Sequence, residues 1–314
     1  MAVTALVAGI GILVDDRVLV GAPIWAKPFK FAVSFVAYAL SLAWMLTLLT
    51  RGRRVGWWAG TVVAVASLIE MVIIVAQVIR GRRSHFNAAT PLDSNLYNAM
   101  GATIVILWAG TLVIAVLLTR ARIADRASAW VIRAGIAIAL AGAGLGFLMT
   151  QPTAGQRAAG GLDTADVVGA HAVGVPDGGP SMPLTGWSTT GGDLRVPHFV
   201  GMHALQLLPL LLLVLVALGS RLPRLADPRT RLRLVLVASG AYAAAVALLT
   251  WQALRGQPLI HPDGATLATA ALILAATACG VYAALRPAPA RPGSHSRTPA
   301  DSDSHTSAEK EHTA

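Results

Sequence analysis

The sequence has a single cysteine, Cys279, and few charged residues. A disulfide within the chain needs two cysteines and is therefore excluded. Asp, Glu, Lys and Arg together make up 13% of the 314 residues, which is about half the charged fraction of ordinary soluble domains. So little charge is typical of a protein that places much of its surface in lipid.

The chain also lacks the short motifs that mark common enzyme chemistries. It has no glycine-rich phosphate loop, no Cys-x-x-Cys pair, no His-Glu-x-x-His helix and no Gly-x-Ser-x-Gly turn. Gly142, Gly144 and Gly146 resemble part of a nucleotide-binding fingerprint, but they lie in an apolar segment with no strand before it, where close helix packing explains them better. The motifs therefore do not decide whether the protein is an enzyme.

Long apolar segments are abundant instead, since 55% of the residues are hydrophobic and the mean hydropathy is +0.63. A helix that crosses a hydrocarbon core of about 30 Å needs about 20 residues at 1.5 Å per residue. The segments that satisfy this length are 32–49, 55–79, 99–119, 128–150, 199–219, 232–254 and 266–285. We predict an all-α fold, a polytopic transmembrane helix bundle of 7–8 spans.

An eighth span depends on residues 2–14, which are apolar but short. Thirteen residues make about 20 Å of helix, and Asp15, Asp16 and Arg17 follow at once. A short first span, a re-entrant piece and a signal-type segment all fit this pattern. A cleavable signal peptide is disfavoured because no basic region precedes the apolar run.

Arginine clusters between the spans predict the orientation, because short loops rich in Lys and Arg face the cytoplasm. One exception is the cluster at residues 80–83, which follows a span on the opposite side. The net charge of +10 comes from such loops and not from one basic face, so nucleic-acid binding is not expected. We expect a cytoplasmic C-terminus and, from the Ala-, Val-, Gly- and Arg-rich composition, a multi-pass protein of a bacterial cytoplasmic (inner) membrane. The three loops assigned to the cytoplasm contain Arg51, Arg53 and Arg54; Arg120, Arg122 and Arg126; and Arg221, Arg224, Arg229, Arg231 and Arg233.

Composition divides the chain into two parts. Residues 1–286 form the predicted transmembrane helical domain, and the long stretch 151–197 within it is a predicted outer loop rich in Gly, Pro, Ser and Thr. Residues 287–314 contain almost no large apolar side chains, so we predict a disordered cytoplasmic tail. Its histidines are irregularly spaced and fit a solvated tail better than a metal site.

The most informative polar residue is Glu70, the only carboxylate inside a predicted span. Burying an ionised group in a membrane is costly, so such residues are candidates for proton or cation sites, although a structural carboxyl is the alternative. Gln77 and Arg80 lie near the same stripe of that helix. The residues that we assign to proton or solute coupling are Glu70, Gln77, Lys30, Tyr38 and Gln206.

Histidines cluster on the predicted outer side and provide a second candidate site. His198 and Met202 are four residues apart and share a helix face, whereas His198 and His203 are five apart and point about 140° away from each other. A metal held there needs a ligand from another helix, and His85 is the first candidate. His85, His198 and His203 are thus predicted cofactor ligands, with His198, Met202 and His203 for a metal such as copper. An ordinary structural role for these histidines remains the alternative.

Three functional hypotheses follow. The leading one is an integral membrane protein that binds a metal or a haem-type cofactor in an outward-facing, histidine-containing pocket, with a membrane or extracytoplasmic redox partner. The second is a small-solute or proton-coupled transporter that uses the intramembrane Glu70. The third is a non-catalytic membrane scaffold or accessory subunit. All three have the lipid bilayer as a partner.

Overall fold

The structure, a computed structural model, describes residues 1–159 and 165–286. Within these residues, seven helices are long and apolar enough to cross a membrane. This confirms the predicted all-α multi-pass bundle. The elements are α1 (Ala2–Val14), β1 (Val18–Leu19), β2 (Ala22–Pro23), α2 (Ala26–Thr47), α3 (Arg53–Ile79), α4 (Pro91–Thr119), α5 (Arg126–Met149), α6 (Ala154–Ala158), β3 (Ala172–Val173), β4 (Gly192–Asp193), α7 (Arg195–Leu218), α8 (Pro223–Ala226), α9 (Pro228–Leu254) and α10 (Gly264–Leu285).

Four of the long helices begin at a residue whose side chain caps the first turn. Thr90, Asp125, Asp227 and Asp263 each accept a hydrogen bond from a backbone N–H two or three residues further on. In α4 and α9 a proline follows the cap, where its missing N–H costs no helical hydrogen bond. These capped ends fix where α4, α5, α9 and α10 start.

Two helices begin well before the predicted spans, because polar residues extend them beyond the apolar core. α2 begins at Ala26 and not at 32, and α4 begins at Pro91 and not at 99. Asp93 therefore lies inside a helix of the bundle and is fully buried. The prediction that Glu70 is the only carboxylate in a span was wrong on this point, because hydropathy alone does not show that a polar first turn faces the protein interior.

The core lies where α5 crosses α7, at two facing glycines. A Cβ atom placed on Gly142 would lie 2.6 Å from Gly201 Cα, so the backbones touch. Around this crossing pack fully buried side chains from α2, α4, α5, α7 and α9. Small residues permit this approach in a bilayer, where lipid provides no hydrophobic drive for helix association. The core side chains include Met45, Ile114, Ile132, Ile136, Leu205 and Val235.

The N-terminal helix α1 pairs with α2. It has 13 residues and a rise of about 20 Å, which is shorter than a hydrocarbon core of about 30 Å. Trp25 fills the space beside Gly11 and donates its indole N–H to Asp15 Oδ2 over 2.7 Å. At the other end Met1 and Ala5 pack against a buried cluster of α2, α3 and α4.

The long connection between α5 and α7 packs over one end of the bundle. Strands β3 and β4 pair antiparallel, with Ala172 opposite Asp193. Asn87 and Val167 form an isolated antiparallel β-bridge. Arg195 Nη2 forms a salt bridge with the buried Asp193 Oδ2 over 2.5 Å. The connection is thus an ordered layer over the site described below. Part of the predicted outer loop (160–164) and the predicted disordered tail (287–314) lie outside the described residues.

Successive long helices contact one another and run in alternate directions, so the connections fall at two ends. We call the end that carries His85, His171 and His198 the histidine end. The opposite end, with the connections α2–α3, α4–α5 and α7–α9, is the arginine end. Contacts agree with this grouping, because Gly52 lies beside Leu117 at the arginine end.

Candidate functional site

Glu70 lies in the second half of α3 and is fully buried. Thr103 Oγ1 is 3.0 Å from Glu70 Oε2 and 2.9 Å from the carbonyl oxygen of Met100. A hydroxyl carries one proton, so Thr103 cannot donate to an ionised carboxylate and to the carbonyl at once. If Glu70 is protonated, its O–H donates to Thr103, and Thr103 donates to Met100. A neutral acid therefore allows both contacts of Thr103 to be hydrogen bonds at the same time.

The other carboxyl oxygen, Glu70 Oε1, is buried and accepts no hydrogen bond from the described residues. His85 Nε2 lies 3.9 Å from it. This is longer than a hydrogen bond, but a movement of about 1 Å or one bridging water would connect the two groups. The pair thus joins a buried acid to an imidazole that is 21% exposed.

Burial and neighbouring charges keep His85 neutral. Its ring packs edge-to-face against Phe31, with the ring centroids 5.6 Å apart, and Ser84 Oγ lies 3.1 Å from Nδ1. Burial holds the pKa of His85 well below its usual range, and the nearby positive charge of Lys27 lowers that pKa further. A neutral imidazole has one nitrogen free to accept a proton.

A second histidine at this end is held by a carboxylate. His171 Nδ1 is 2.8 Å from Asp177 Oδ2, and the backbone N–H groups of His171 and Ala172 also donate to Asp177. Burial lowers the pKa of His171, although its bond to Asp177 opposes that change. Burial alone would raise the pKa of Asp177, but these hydrogen bonds keep it well below the usual range. Asp177 is therefore ionised at neutral pH.

Phe86 separates the two histidines and has a strained backbone. Its ring lies edge-to-face against His171, with centroids 4.8 Å apart, and against His85 at 6.1 Å. The φ angle of Phe86 is +60°, a left-handed conformation that costs a bulky residue about 1–3 kcal/mol. The hydrogen bond from Val168 N–H to Phe86 O holds the residue there.

His198 lies in the first turn of α7 and faces α5. Its Nδ1 lies 2.8 Å from the carbonyl oxygen of Gly142, and its ring packs beside Gly146. A carbonyl can only accept, so Nδ1 carries the proton and Nε2 keeps its lone pair. This is the usual state of a metal-binding histidine whose other nitrogen is fixed by the backbone.

The other members of the predicted metal set point elsewhere. His203 Nδ1 is 3.2 Å from Gln206 Oε1, its Nε2 is buried without a hydrogen bond from the described residues, and its ring packs against Phe199. Met202 is half-buried on α7. In residues 1–159 and 165–286, no three His, Cys, Asp or Glu side chains are grouped closely enough to hold one metal ion. A site at His198 would thus use fewer such ligands, as haem does with one or two axial histidines.

The other residues assigned to proton or solute coupling take part in separate contacts. Lys30 Nζ donates to Thr185 O over 3.1 Å, in the layer above the bundle. Tyr38 bonds the hydroxyl of Thr111, and Gln206 donates to Ser41 Oγ over 3.1 Å. Of the predicted site residues, the structure brings together Glu70 with His85 and, within α7, His203 with Gln206. The contacts between different helices were not visible in the helical spacing, which shows shared faces on one helix and not partners on another.

Gln77 belongs to a different buried network, centred on Asp93. Gln77 Nε2 and Arg80 Nη1 donate to Asp93 Oδ1 over 2.9 and 2.7 Å, and Thr90 donates to Oδ2. Arg80 also donates to Gln77 Oε1 over 2.5 Å. The arginine cluster at 80–83 therefore contains one residue with a structural role, which helps to explain why it departs from the charge rule.

Sequence reasoning missed Lys27, Asp93, Thr103 and Asp177. A Thr-Pro-x-Asp start to an apolar helix was the signal that could have revealed Asp93. The chain matches no family model, no curated protein and no solved structure.

Proposed function

We propose that this protein is a proton-coupled transporter of a small solute, with Glu70 as the proton-binding acid and His85 as the group that exchanges its proton with water. The observation that carries the proposal is the unpaired, buried Glu70 Oε1 with His85 Nε2 at 3.9 Å. An intramembrane carboxyl that is neutral at rest can release a proton when a conformational change brings it a partner. Most buried side-chain oxygens in proteins are hydrogen-bonded, so an unpaired carboxyl oxygen favours a functional role for Glu70 over a structural one.

His85 is suited to the exchange by its exposure and its low pKa. Glu70 is sealed from solvent, whereas His85 is 21% exposed. Because burial lowers the pKa of His85, a proton taken from Glu70 would not stay on the imidazole. It would pass to water or to a bound solute. His85 therefore serves as a transient carrier and Glu70 as the storage site.

Infrared spectroscopy of the purified protein tests this proposal. The wild type should show a protonated carboxyl band at neutral pH that is missing from Glu70→Gln. Asp166→Asn, which removes an exposed carboxylate, should keep the band. In His85→Gln, exchange of the Glu70 proton in D2O should slow by about a hundredfold, the size of typical general acid–base effects. A wild type with no Glu70 band at neutral pH would refute the resting state assigned here.

A second function, ligation of a haem or a copper ion, is favoured by the fixed tautomer of His198. The hydrogen bond of Nδ1 to Gly142 O directs the lone pair of Nε2 away from that carbonyl. His198 is then the first ligand, with His85, Met202 or His203 as candidates for the second, and an extracytoplasmic redox partner is implied. An absorption spectrum with metal analysis tests this: a band or metal present in wild type and in His261→Ala but lost in His198→Ala supports it.

We also propose the orientation that the arginine loops predict. The arginine end faces the cytoplasm, as does the C-terminus, and the histidine end faces outward from a bacterial cytoplasmic membrane. Protons would then reach His85 from the external side.

A further inference from the structure

A groove at the arginine end is lined by four arginines. It lies between α8, the start of α9 and the end of α10, and its volume is about 380 Å³. Arg224, Arg229, Arg233 and Arg286 line it together with Asp227, Thr230 and Leu285. It is at the opposite end of the bundle from Glu70 and His85, so it does not belong to the proton site.

The charge of this groove is not neutralised by the described residues. Among residues 1–159 and 165–286, the arginines in salt bridges are others, Arg17, Arg80, Arg195 and Arg255. Of Arg224, Arg229 and Arg233, Arg229 lies close enough to Asp227 for their charges to interact. Arg286 donates to Tyr282 Oη over 2.9 Å and stacks on that ring, which leaves its positive charge unpaired.

The one acid in the groove is occupied by the helix start. Asp227 accepts hydrogen bonds from the backbone N–H groups of Arg229 and Thr230 and from the Thr230 hydroxyl, over 3.2, 3.0 and 2.8 Å. Its carboxylate is therefore directed at the first turn of α9. Four arginines face one acid, so the groove attracts anions.

The shape of the neighbouring helices points to a lipid. α10 is at the edge of the bundle, where only Thr266 and Ala284 are buried, and its large apolar side chains such as Leu272 and Leu274 stay exposed. Leu285, in the last turn of α10, lines the groove itself. An anionic group bound by the arginines would thus sit directly above a surface suited to acyl chains.

We propose that the groove binds the phosphate head group of an anionic phospholipid whose acyl chains lie along α10. Arginine fits phosphate oxygens in a planar, bidentate manner, and basic pockets at the ends of transmembrane helices bind such head groups. Four guanidinium groups in about 380 Å³ exceed the needs of one phosphate. A lipid with two phosphates, of the diphosphatidylglycerol type, should therefore bind more tightly than phosphatidylglycerol.

Native mass spectrometry of the full chain in mild detergent tests this. Diphosphatidylglycerol, phosphatidylglycerol, phosphatidylcholine and inorganic phosphate are each titrated. The wild type should retain the two anionic lipids and not phosphatidylcholine. Arg229→Gln with Arg233→Gln should bind diphosphatidylglycerol about 30-fold more weakly, since each interfacial arginine contributes about a factor of five.

The matched control is Arg51→Gln with Arg54→Gln, two exposed arginines at the same end but outside the groove. Its lipid binding should equal that of the wild type. If the first double variant does not fold, Arg224→Gln with Arg286→Gln replaces it with the same expectation. Equal losses in the groove and control variants, or displacement of the lipid by equimolar inorganic phosphate, would overturn the proposal.

Discussion

At Glu70 the two carboxyl oxygens have different surroundings. Oε2 is part of a chain that runs through Thr103 to the Met100 carbonyl, whereas Oε1 is buried without a hydrogen bond from the described residues. A neutral Glu70 completes this chain of hydrogen bonds, which explains how the apolar interior can hold a carboxyl group. Such a group is expected to tolerate a neutral replacement better than a truncation.

The first prediction follows from this difference. Glu70→Gln should change the free energy of unfolding by less than about 1 kcal/mol, because an amide keeps a donor for Thr103. Glu70→Ala should cost about 1–3 kcal/mol, because it leaves a cavity and removes the donor to the buried Thr103 oxygen. Thermal unfolding of both variants in the same detergent makes the comparison. Equal losses would mean that the ionised form is the one the fold requires.

The histidine end should make the protein less stable in acid. An unfolded histidine binds a proton near pH 6.5, whereas burial lowers the pKa of His85 and His171 in the folded protein. The unfolded chain therefore binds more protons below about pH 6.5, and stability decreases as the pH decreases. Asp177, whose folded pKa is also low, acts in the same direction below about pH 4.

The second prediction quantifies this dependence. Between pH 6.5 and 5, each histidine that stays neutral in the folded protein should contribute a slope of up to about 1.4 kcal/mol per pH unit. His85→Gln and His171→Gln should each flatten the slope measured by thermal unfolding. His261→Gln removes an exposed histidine and serves as the control. If all three variants retain the wild-type slope, other groups are responsible for the acid sensitivity.

At the scale of single residues, sequence could identify Glu70 and His85 but not their proximity. Their positions relative to the apolar segments indicate both as candidates. Their contact depends on how the chain turns after α3, which includes the positive φ angle of Phe86. Neither periodicity nor hydropathy predicts a left-handed phenylalanine.

At the scale of the elements, the α5–α7 crossing brings two helix backbones into contact and also positions His198. The carbonyl of Gly142 that bonds His198 Nδ1 belongs to the residue that touches Gly201. Any side chain larger than hydrogen at this crossing separates the helices. Separation would also release the imidazole from its carbonyl.

The third prediction compares two glycine substitutions. Gly142→Ala places Cβ 2.6 Å from backbone atoms of Gly201 and should cost about 1–3 kcal/mol. Gly240→Ala in α9, where a Cβ meets nothing within 4 Å, should be neutral or stabilise by up to about 1 kcal/mol through helix propensity. Thermal unfolding distinguishes them, and similar effects of the two variants would contradict the close crossing.

The long helices were predictable because an apolar run of membrane length has few alternatives. Their first turns were not, as α2 and α4 show. Asp93 and its neighbours look like loop residues by hydropathy, yet Asp93 is satisfied by Gln77, Thr90 and Arg80 inside the protein. Side-chain partners from a neighbouring helix decide such positions, and a single segment does not contain that information.

For the molecule as a whole, the proposed orientation gives the fourth prediction. The lone Cys279 is first replaced by Ser. Leu184→Cys, at a position that is 96% exposed at the histidine end, should then react with a membrane-impermeant maleimide on intact cells. Ser220→Cys, exposed at the arginine end, should react only after the cells are permeabilised. The reverse pattern would invert the topology and place the arginine groove in the outer leaflet.

The succession of seven long apolar helices follows from a simple alternation of apolar and polar segments, so the sequence was sufficient to predict it. The sequence did not predict the ordered layer that residues 165–194 form over the histidine end. It is held by short-range turns and by pairs such as Arg195 with Asp193, and its composition indicated only a loop.

The left-handed backbone at Phe86 limits how this protein can evolve. Glycine at position 86 would remove the strain, but it would also remove the ring that stands between His85 and His171. Phe86 is 4% exposed and packs in a buried cluster with Met149, Leu194 and Ala253, so its loss would cost about 3–5 kcal/mol, more than the strain that glycine relieves. The protein therefore keeps a strained residue at position 86, because the ring that is strained also fills the core beneath the two histidines.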